Sequence, residues 1–194
     1  MQLNMLGASG ELNEEESLTV KSYQHLPKEP FMEVVGSLFN TYKDWEGVNQ
    51  FKGTAERLQK MFADFCWTPE RINQELDLHT RLFEDEYEEL MTISSIDVVT
   101  LCPHHLLPCT YEVDVSYAPN GRVLGLSKFA RIAVILGKRP IMQEMYTREL
   151  ADTLMERVNP IGVKVSVTGI HGCLMFRGAK QSSPVTTEQS RGTI

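Results

Sequence analysis

Hydrophobic side chains recur three or four residues apart in the first half of the chain. After Pro30 they stand at Phe31, Val34, Val35, Leu38 and Phe39. This spacing places them on one face of a helix. A second helix is predicted to start at Thr54, a residue type that caps helix N-termini, and a third at Thr68-Pro69-Glu70. Residues 30–85 are therefore predicted to form a helical layer.

The spacing changes to every second residue in the second half, which is typical of half-buried strands. One predicted strand begins near Met91 and ends at Cys102. Another covers residues 111–117 and is followed by a turn at 119–121 with the sequence Pro-Asn-Gly. A further strand begins near Val163 and leads to His171 and Cys173, which are expected on one face because they are alternate residues.

Two helices are predicted between these strands. Ser127 is expected to cap the first, which runs through Ile135 and stops near Gly137. The second spans about residues 142–158 and ends before Asn159-Pro160. A helix pair flanked by strands predicts the α+β class, with an antiparallel sheet and the helices on one of its faces.

The patterns divide the chain into three segments. Residues 1–28 are polar and acidic and are expected to form a loosely packed tail. Residues 29–180 are expected to form a single domain, with the helical layer at about 30–85 and the sheet with its helices at about 88–180. The C-terminal segment 181–194 is rich in Ser and Thr and is expected to be loose.

The formal net charge of −7 argues against a general binder of nucleic acid or membrane surfaces, because such proteins usually present a basic surface. No leader pattern opens the chain, and its longest apolar runs are too short to span a bilayer. A cytoplasmic location is therefore expected. In that reducing compartment the four cysteines are expected to be thiols or metal ligands rather than disulfides.

Cysteine and histidine stand together in the sequence Cys-Pro-His-His at residues 102–105, where a predicted strand ends. The Cys-x-x-His spacing lets Cys102 and His105 reach one metal ion, and zinc is commonly bound by these residue types. Cys173 would complete a set of three ligands. Three protein ligands with one position open for water are typical of a catalytic zinc rather than a structural one.

The competing interpretation treats these cysteines as core residues, since cysteine is among the residues most often buried. That role is expected for Cys66 and Cys109, which are expected to lie in apolar surroundings with no histidine nearby. His25 and His79 are expected to be surface or capping residues.

A second candidate group, Ser127, Lys128 and Arg131, stands at the start of a predicted helix. Free backbone N–H groups at a helix N-terminus can bind a phosphate, and the positive charges of Lys128 and Arg131 beside them favour this binding. Gln143 and Glu144 open the following helix, and a carboxylate can accept two hydrogen bonds from a guanine-like N–H edge. The alternatives are a solvated helix end for the first group and a simple preference of Glu144 for a helix N-terminus.

These motifs, in this order, closely resemble GTP cyclohydrolase of type I. The resemblance runs over about residues 30–192 and is densest at 101–108, 120–131, 143–144 and 171–178. It implies an enzyme that converts GTP and water to 7,8-dihydroneopterin triphosphate and formate, with zinc as its cofactor.

The resemblance also implies a role for each candidate residue. Cys102, His105 and Cys173 match the zinc ligands. His104 and His171 match the histidines that transfer protons, and Ser127 is a further possible relay. The triphosphate and ribose are held at positions that match Ser127, Lys128, Arg131 and Arg177, and guanine is recognised at the position of Glu144 with Gln143.

The fold implied is the tunnelling fold, an N-terminal helical layer with a four-stranded antiparallel sheet and two helices on one face. Sheets of five subunits would join into a barrel, and two such rings would stack into a homodecamer with active sites between subunits. Pro103 stands where the family usually carries glutamate, and Met145 where arginine is common, so the surroundings of the metal and the subunit contacts are expected to differ there.

Two alternatives stay open. One is a related tunnelling-fold enzyme of deazapurine synthesis, which reduces a nitrile through a cysteine nucleophile and uses no zinc. The other is a non-catalytic homologue that binds GTP. The pair His104-His105 with two metal-spaced cysteines disfavours the first alternative, and the presence of every residue with an implied chemical role disfavours the second.

Overall fold

The computed structural model describes residues 27, 29–40, 53–84, 87 and 89–194. The chain divides into two compact units, one up to Asp64 and one from Phe65 onward. The expected single domain over residues 29–180 stays a prediction. The loose tail expected at 1–28 lies outside the described residues apart from Pro27.

The first unit contains helix α1 (Glu29–Asn40) and most of helix α2 (Thr54–Phe65), so both predicted helices are confirmed. The rings of Phe31 and Phe62 lie with their centroids 5.7 Å apart. The prediction that Thr54 caps α2 is wrong, because Thr54 is already helical and its hydroxyl accepts a hydrogen bond from the Arg57 guanidinium.

Helix α3 (Pro69–His79) begins as its sequence predicts. The Thr68 backbone is extended, and its hydroxyl oxygen accepts a hydrogen bond from the backbone N–H of Arg71 at 3.3 Å. Pro69 occupies the first turn, where a missing N–H costs nothing. The helix therefore starts within the Thr-Pro-Glu motif.

Six strands lie among the described residues of the second unit. They are β1 (Leu82–Glu84), β2 (Met91–Leu101), β3 (Pro108–Ala118), β4 (Arg122–Leu124), β5 (Gly162–His171) and β6 (Val185–Gly192). Four form an antiparallel sheet in the order β2-β3-β5-β6, and β1 pairs with β4. The predicted α+β class and four-stranded antiparallel sheet are confirmed, whereas the three-residue strands β1 and β4 were not predicted.

One face of the sheet is buried and the other is open. In β3, alternate residues such as Tyr111 and Val113 are buried, while Thr110 and Glu112 between them are exposed. Helices α4 (Leu126–Leu136) and α5 (Gln143–Val158) pack against the sheet and against each other. Burying each large apolar side chain stabilises this packing by about 1.5–3 kcal/mol. The prediction of two helices on one face is confirmed.

Helix α4 starts one residue before Ser127, and Gly125 precedes it without a side-chain cap. The predicted capping role of Ser127 is therefore wrong, and its hydroxyl is on the exposed surface. The backbone of Gly125 takes that place, since its carbonyl accepts the N–H of Lys128 at 2.8 Å. The stop near Gly137 and the predicted second helix are confirmed.

The direction of α4 matters for the positions of the candidate residues. Near its start, the Phe129 ring lies 4.7 Å from the ring of Tyr117, at one end of β3. Just beyond its end, Ile141 donates its N–H to the carbonyl of Leu101, at the other end of the sheet. The helix thus carries the chain from one end of the sheet to the other.

The expectation that residues 181–194 are loose is wrong, because β6 pairs with β5 over residues 185–192. Its side chains are mostly polar and meet polar partners on β5, such as Lys164 with Glu188 at 3.1 Å. Among the described helices, none is both long enough and apolar enough to cross a membrane.

Candidate metal centre and active site

Three candidate ligands converge where β2 and β5 end. Cys102 follows β2, His105 lies in the next turn, and Cys173 lies in the one-turn helix α6 (Gly172–Met175). One ligand atom from each lies within 4.8 Å of the other two. The Cys102 Sγ is 3.6 Å from the Nδ1 of His105. Within the described part of the chain, no other three such residues meet this criterion.

A tight turn brings Cys102 and His105 together. The carbonyl of Cys102 accepts the N–H of Leu106 at 2.8 Å, and the N–H of Cys102 donates to the carbonyl of Leu107 at 2.9 Å. Pro103 stands early in this turn, where its fixed φ is favourable. The turn therefore accommodates proline at a position where the resemblance leads one to expect glutamate.

Cys173 reaches the group by a different route from the one predicted. The strand β5 ends at His171 and a helical turn begins at Gly172, so His171 and Cys173 are not alternate residues of one strand. A Cβ at position 172 would lie 2.5 Å from the carbonyl oxygen of Pro108. Glycine thus permits the close approach that lets the chain turn Cys173 towards Cys102.

The donor set fits a zinc ion. Two cysteine sulfurs and one imidazole are ligands that zinc prefers, and three protein ligands leave a fourth position open. Partial burial raises the pKa of the Cys173 thiol, and the neighbouring Cys102 raises it further. A bound cation would reverse this effect, because it favours the thiolate. All four cysteines of the chain are outside disulfides, which agrees with the expectation of thiols or metal ligands.

Arg177 and His104 flank the metal group. The Nη1 of Arg177 lies 2.5 Å from the Nε2 of His105. The Nδ1 of His104 lies 3.8 Å from the Sγ of Cys102. His104 also borders a cleft of about 350 Å³, whose other walls include Met142 and Met145. The position where the sequence departs from the family pattern by carrying Met145 is therefore part of this cleft.

His171 is held at both ring nitrogens. Its Nε2 lies 2.7 Å from the Oε1 of Gln143, and its Nδ1 lies 3.4 Å from the Sγ of Cys109. The ring also packs against Tyr111 with centroids 5.9 Å apart. Cys109 is buried as predicted, but the expectation that it has no histidine nearby is wrong.

The missed contact follows from strand pairing. Cys109 and His171 face each other directly in the β3–β5 register. They are 62 residues apart, so neither motif alone reveals the other. Two patterns could have indicated it, because Cys109 stands near the start of one predicted strand and His171 near the end of another.

Gln143 and Glu144 lie side by side at the start of α5 but face different surroundings. Gln143 is 2% exposed, and its Nε2 donates within the fold to the carbonyls of Val167 and Val185 and to the hydroxyl oxygen of Thr187. Glu144 is exposed. The guanine contact of Gln143 stays a prediction, while its observed partner at the site is His171.

Ser127, Lys128 and Arg131 lie far from the metal group within this chain. They belong to the start of α4, at the Tyr117 end of β3, whereas Cys109 at the other end borders His171. Tyr117 stands eight steps along the extended strand from Cys109, which corresponds to about 26 Å. The Nζ of Lys128 lies 3.2 Å from the Nδ1 of His79.

The fold and the site define a class, an α+β protein whose antiparallel sheet carries a group suited to a metal ion at one end. The particular family is also shown. The chain belongs to the GTP cyclohydrolase I family, whose model matches residues 32–194. The resemblance in the sequence is therefore confirmed.

Curated relatives carry the same family name. The GTP cyclohydrolase 1 of Pelotomaculum thermopropionicum is 40% identical over 144 residues, which cover 73% of this chain and 75% of that protein. The GTP cyclohydrolase 1 of Caldanaerobacter subterraneus subsp. tengcongensis is 42% identical over 139 residues, which cover 64% and 74%.

Two solved structures are more distantly similar. An archaeosine synthase QueF-Like in the apo form aligns with a TM-score of 0.45 and 24% identity, over 54% of this chain and 95% of that chain. The dihydroneopterin aldolase of E. coli in complex with neopterin aligns with a TM-score of 0.43 and 18% identity, over 54% and 99%.

Proposed function

We propose that this protein is a zinc-dependent GTP cyclohydrolase that converts GTP and water to 7,8-dihydroneopterin triphosphate and formate. One observation carries the proposal. Cys102, His105 and Cys173 converge beside His171 at one end of the sheet, in a chain of the GTP cyclohydrolase I family. A cytoplasmic homodecamer is proposed with it.

In this proposal Cys102, His105 and Cys173 hold the zinc ion. Zinc bound there supplies Lewis-acid activation of water near neutral pH. Arg177 stands against His105 and adds a fixed positive charge next to the centre. That charge suits an anionic substrate and orients it towards the ligands.

His104 and His171 are proposed to move protons, since an imidazole both gives and takes protons near neutral pH. A histidine that protonates a ring nitrogen of the purine makes the adjacent carbon C8 more electrophilic. Hydrolysis at C8 opens the five-membered ring and releases formate. Later proton shifts in the ribose precede closure to the pterin, and Ser127 is proposed to assist them.

The substrate-holding residues imply a site shared between subunits. Glu144, proposed to recognise guanine, stands with Gln143 near the metal end of the sheet, whereas Ser127, Lys128 and Arg131 stand at the other end. The strand that joins these two ends rises about 26 Å between Cys109 and Tyr117. The triphosphate is therefore proposed to bind to the start of α4 of a neighbouring subunit.

The proposed experiment incubates the zinc-loaded protein with GTP and measures formate, pterin fluorescence and bound zinc. Cys173→Ala is expected to lose both zinc and product, because two ligands no longer define the site. Cys66→Ala, which removes a thiol outside the metal group, is the matched control and is expected to retain both.

Other outcomes would separate the alternatives. Full zinc content and formate release in Cys173→Ala would refute the ligand assignment. Tight GTP binding without formate release in the wild type would favour a non-catalytic homologue. Consumption of a reduced nicotinamide cofactor would instead favour a reductase.

A further inference from the structure

We infer that Gln143 fixes His171 as the tautomer that carries its proton on Nε2, and that the Cys109 thiol donates to the Nδ1 left bare. Cys109 is then a positioning residue for a histidine to which the proposed function assigns proton transfer. The tautomer itself follows from the hydrogen bonds and does not depend on that function.

The orientation of the Gln143 amide is the first step. Its Nε2 lies 3.0 Å from the carbonyl oxygen of Val167 and 2.9 Å from that of Val185. Carbonyl oxygens only accept hydrogen bonds, so the atom facing them must be the NH₂ group. The remaining amide atom, which faces His171, is therefore the oxygen.

The proton of His171 follows from this orientation. The Oε1 of Gln143 lies 2.7 Å from the Nε2 of His171 and has no proton to give. The Nε2 must then be the donor. A neutral imidazole has a single N–H, so its Nδ1 keeps a lone pair that needs a donor.

Cys109 supplies that donor. Its Sγ lies 3.4 Å from the Nδ1 of His171, while its other contact, with the carbonyl of Leu107, is 3.9 Å long. The thiol is 1% exposed. The nearer acceptor for the S–H proton is therefore the Nδ1 of His171.

The surrounding packing leaves these groups little freedom. A Cβ at Gly169 would lie 2.3 Å from the Oε1 of Gln143 and 2.8 Å from the Tyr111 ring. The Thr187 hydroxyl, itself paired with Thr147 at 2.6 Å, lies 3.1 Å from the Nε2 of Gln143. A close-packed glutamine with every polar atom engaged is well suited to fix the ring of its neighbour.

The consequence for catalysis concerns a single atom. With the Nε2 proton committed to Gln143, Nδ1 is the ring nitrogen that can accept a proton. Cys109 stands at this nitrogen, so its S–H group sets the orientation of the ring. Replacing the thiol should therefore change turnover more than substrate binding.

The test of the tautomer is solid-state NMR of the zinc-loaded wild-type protein labelled with ¹⁵N at histidine. The spectrum is recorded at about pH 8.5, where an ordinary histidine is neutral. The His171 signals are identified by their loss in His171→Asn. The expected result is a protonated Nε2 and a bare Nδ1. A protonated Nδ1 in the neutral ring would overturn the inference, whether or not the protein hydrolyses GTP.

The test of Cys109 compares two variants with a matched control. Cys109→Ser keeps a hydrogen-bond donor and is expected to keep the hydrogen-bonded Nδ1 shift, with kcat within about threefold of wild type. Cys109→Ala is expected to lose that shift and to lower kcat about tenfold with KM unchanged. Cys66→Ser is expected to change neither.

An Nδ1 shift that is the same in the wild type, Cys109→Ser and Cys109→Ala would overturn the role of Cys109 as the donor. Equal kcat values in the two Cys109 variants would overturn its role in turnover. If both variants fail to fold, the wild-type spectrum still decides the tautomer.

Discussion

Three cysteines of identical chemistry have different surroundings in this chain. Cys109 is buried on β3 opposite His171 of β5, Cys173 is partly buried beside Cys102, and Cys66 is partly buried outside the site. Burial raises the pKa of the Cys66 and Cys109 thiols, and it is also the largest of the effects that raise the pKa of Cys173. Position in the fold therefore explains why one thiol is proposed as a metal ligand and another as a hydrogen-bond donor.

Cys109 should make the folded protein less stable in alkali. Its pKa is about 11 in the folded chain against an ordinary value of 9.0, so between these values the unfolded chain binds fewer protons than the folded one. Stability then falls as the pH rises. Urea unfolding at about pH 8 and at about pH 10.5 measures this effect. Between these pH values the free energy of unfolding of Cys109→Ala is expected to fall by up to about 2 kcal/mol less than that of the wild type. An equal loss in both proteins would contradict the folded-state pKa.

Recognition of guanine gives a second prediction at this scale. Glu144→Gln replaces an acceptor-only carboxylate with an amide that presents both a donor and an acceptor. If Glu144 accepts two N–H groups of guanine, KM for GTP is expected to rise at least about tenfold, because one hydrogen bond to a charged group is lost. Steady-state kinetics measures this, and Glu156→Gln, an exposed glutamate on the same helix, is the control.

The sequence predicts the metal group better than it predicts the contacts of His171. Cys102 and His105 share one short motif, so their proximity follows from spacing alone. The partners of His171 come from a facing strand and from the start of a helix. Such contacts depend on register and packing between distant segments, and hydropathy patterns specify neither.

At the scale of elements, the sequence predicts long amphipathic segments well and short or polar ones poorly. Strand β6 has no run of alternating apolar residues, and its pairing with β5 relies on contacts such as Thr168 with Thr186 at 3.2 Å. The start of α4 depends on one backbone hydrogen bond to Gly125. The turn from β5 into α6 depends on the close approach of Gly172 to the carbonyl oxygen of Pro108.

Helix α3 offers a prediction about its cap. Thr68→Ala removes the oxygen that accepts the Arg71 N–H and is expected to lower the free energy of unfolding by about 1 kcal/mol. Urea unfolding at constant pH measures the change. Thr68→Ser keeps the oxygen and should recover most of the loss, so equal losses in the two variants would exclude a capping role.

Strand β5 offers a prediction about Gly169. In Gly169→Ala the new methyl group would collide with Gln143 and Tyr111, so repacking is expected to cost about 1–3 kcal/mol of stability and to displace Gln143 from His171. Turnover should fall about tenfold or more. Gly36→Ala in α1 is the control, because a Cβ there meets nothing within 4 Å and alanine favours a helix.

At the scale of the whole molecule, the four-stranded sheet ends in β2 on one side and β6 on the other. Strands at the edge of a sheet offer unpaired backbone groups to a second chain. The candidate residues for phosphate and metal also lie at opposite ends of the sheet. Both features favour an assembly in which neighbouring copies complete the sheet and the site.

Mixing inactive subunits tests this assembly. Arg131→Ala and Cys173→Ser are each expected to be inactive, because one lacks a proposed triphosphate contact and the other a proposed zinc ligand. After unfolding and refolding together, some interfaces would join an intact Arg131 with an intact Cys173 from different chains. Formate release is expected to return to about a quarter of the wild-type rate for random pairing. No recovery in mixed oligomers would indicate a site within one chain.

Loss of the last strand, β6, would also affect the candidate active site. Val185 and Thr187 of β6 receive hydrogen bonds from Gln143, and Gln143 in turn contacts His171. Exopeptidase removal of residues 185–194 would thus take away two hydrogen-bond partners of Gln143, and so loosen its contact with His171. Every proposed metal ligand and substrate contact would stay in place. Such a clipped protein would still load zinc and yet turn over slowly, so metal content would be a poor measure of intact enzyme in a purified batch.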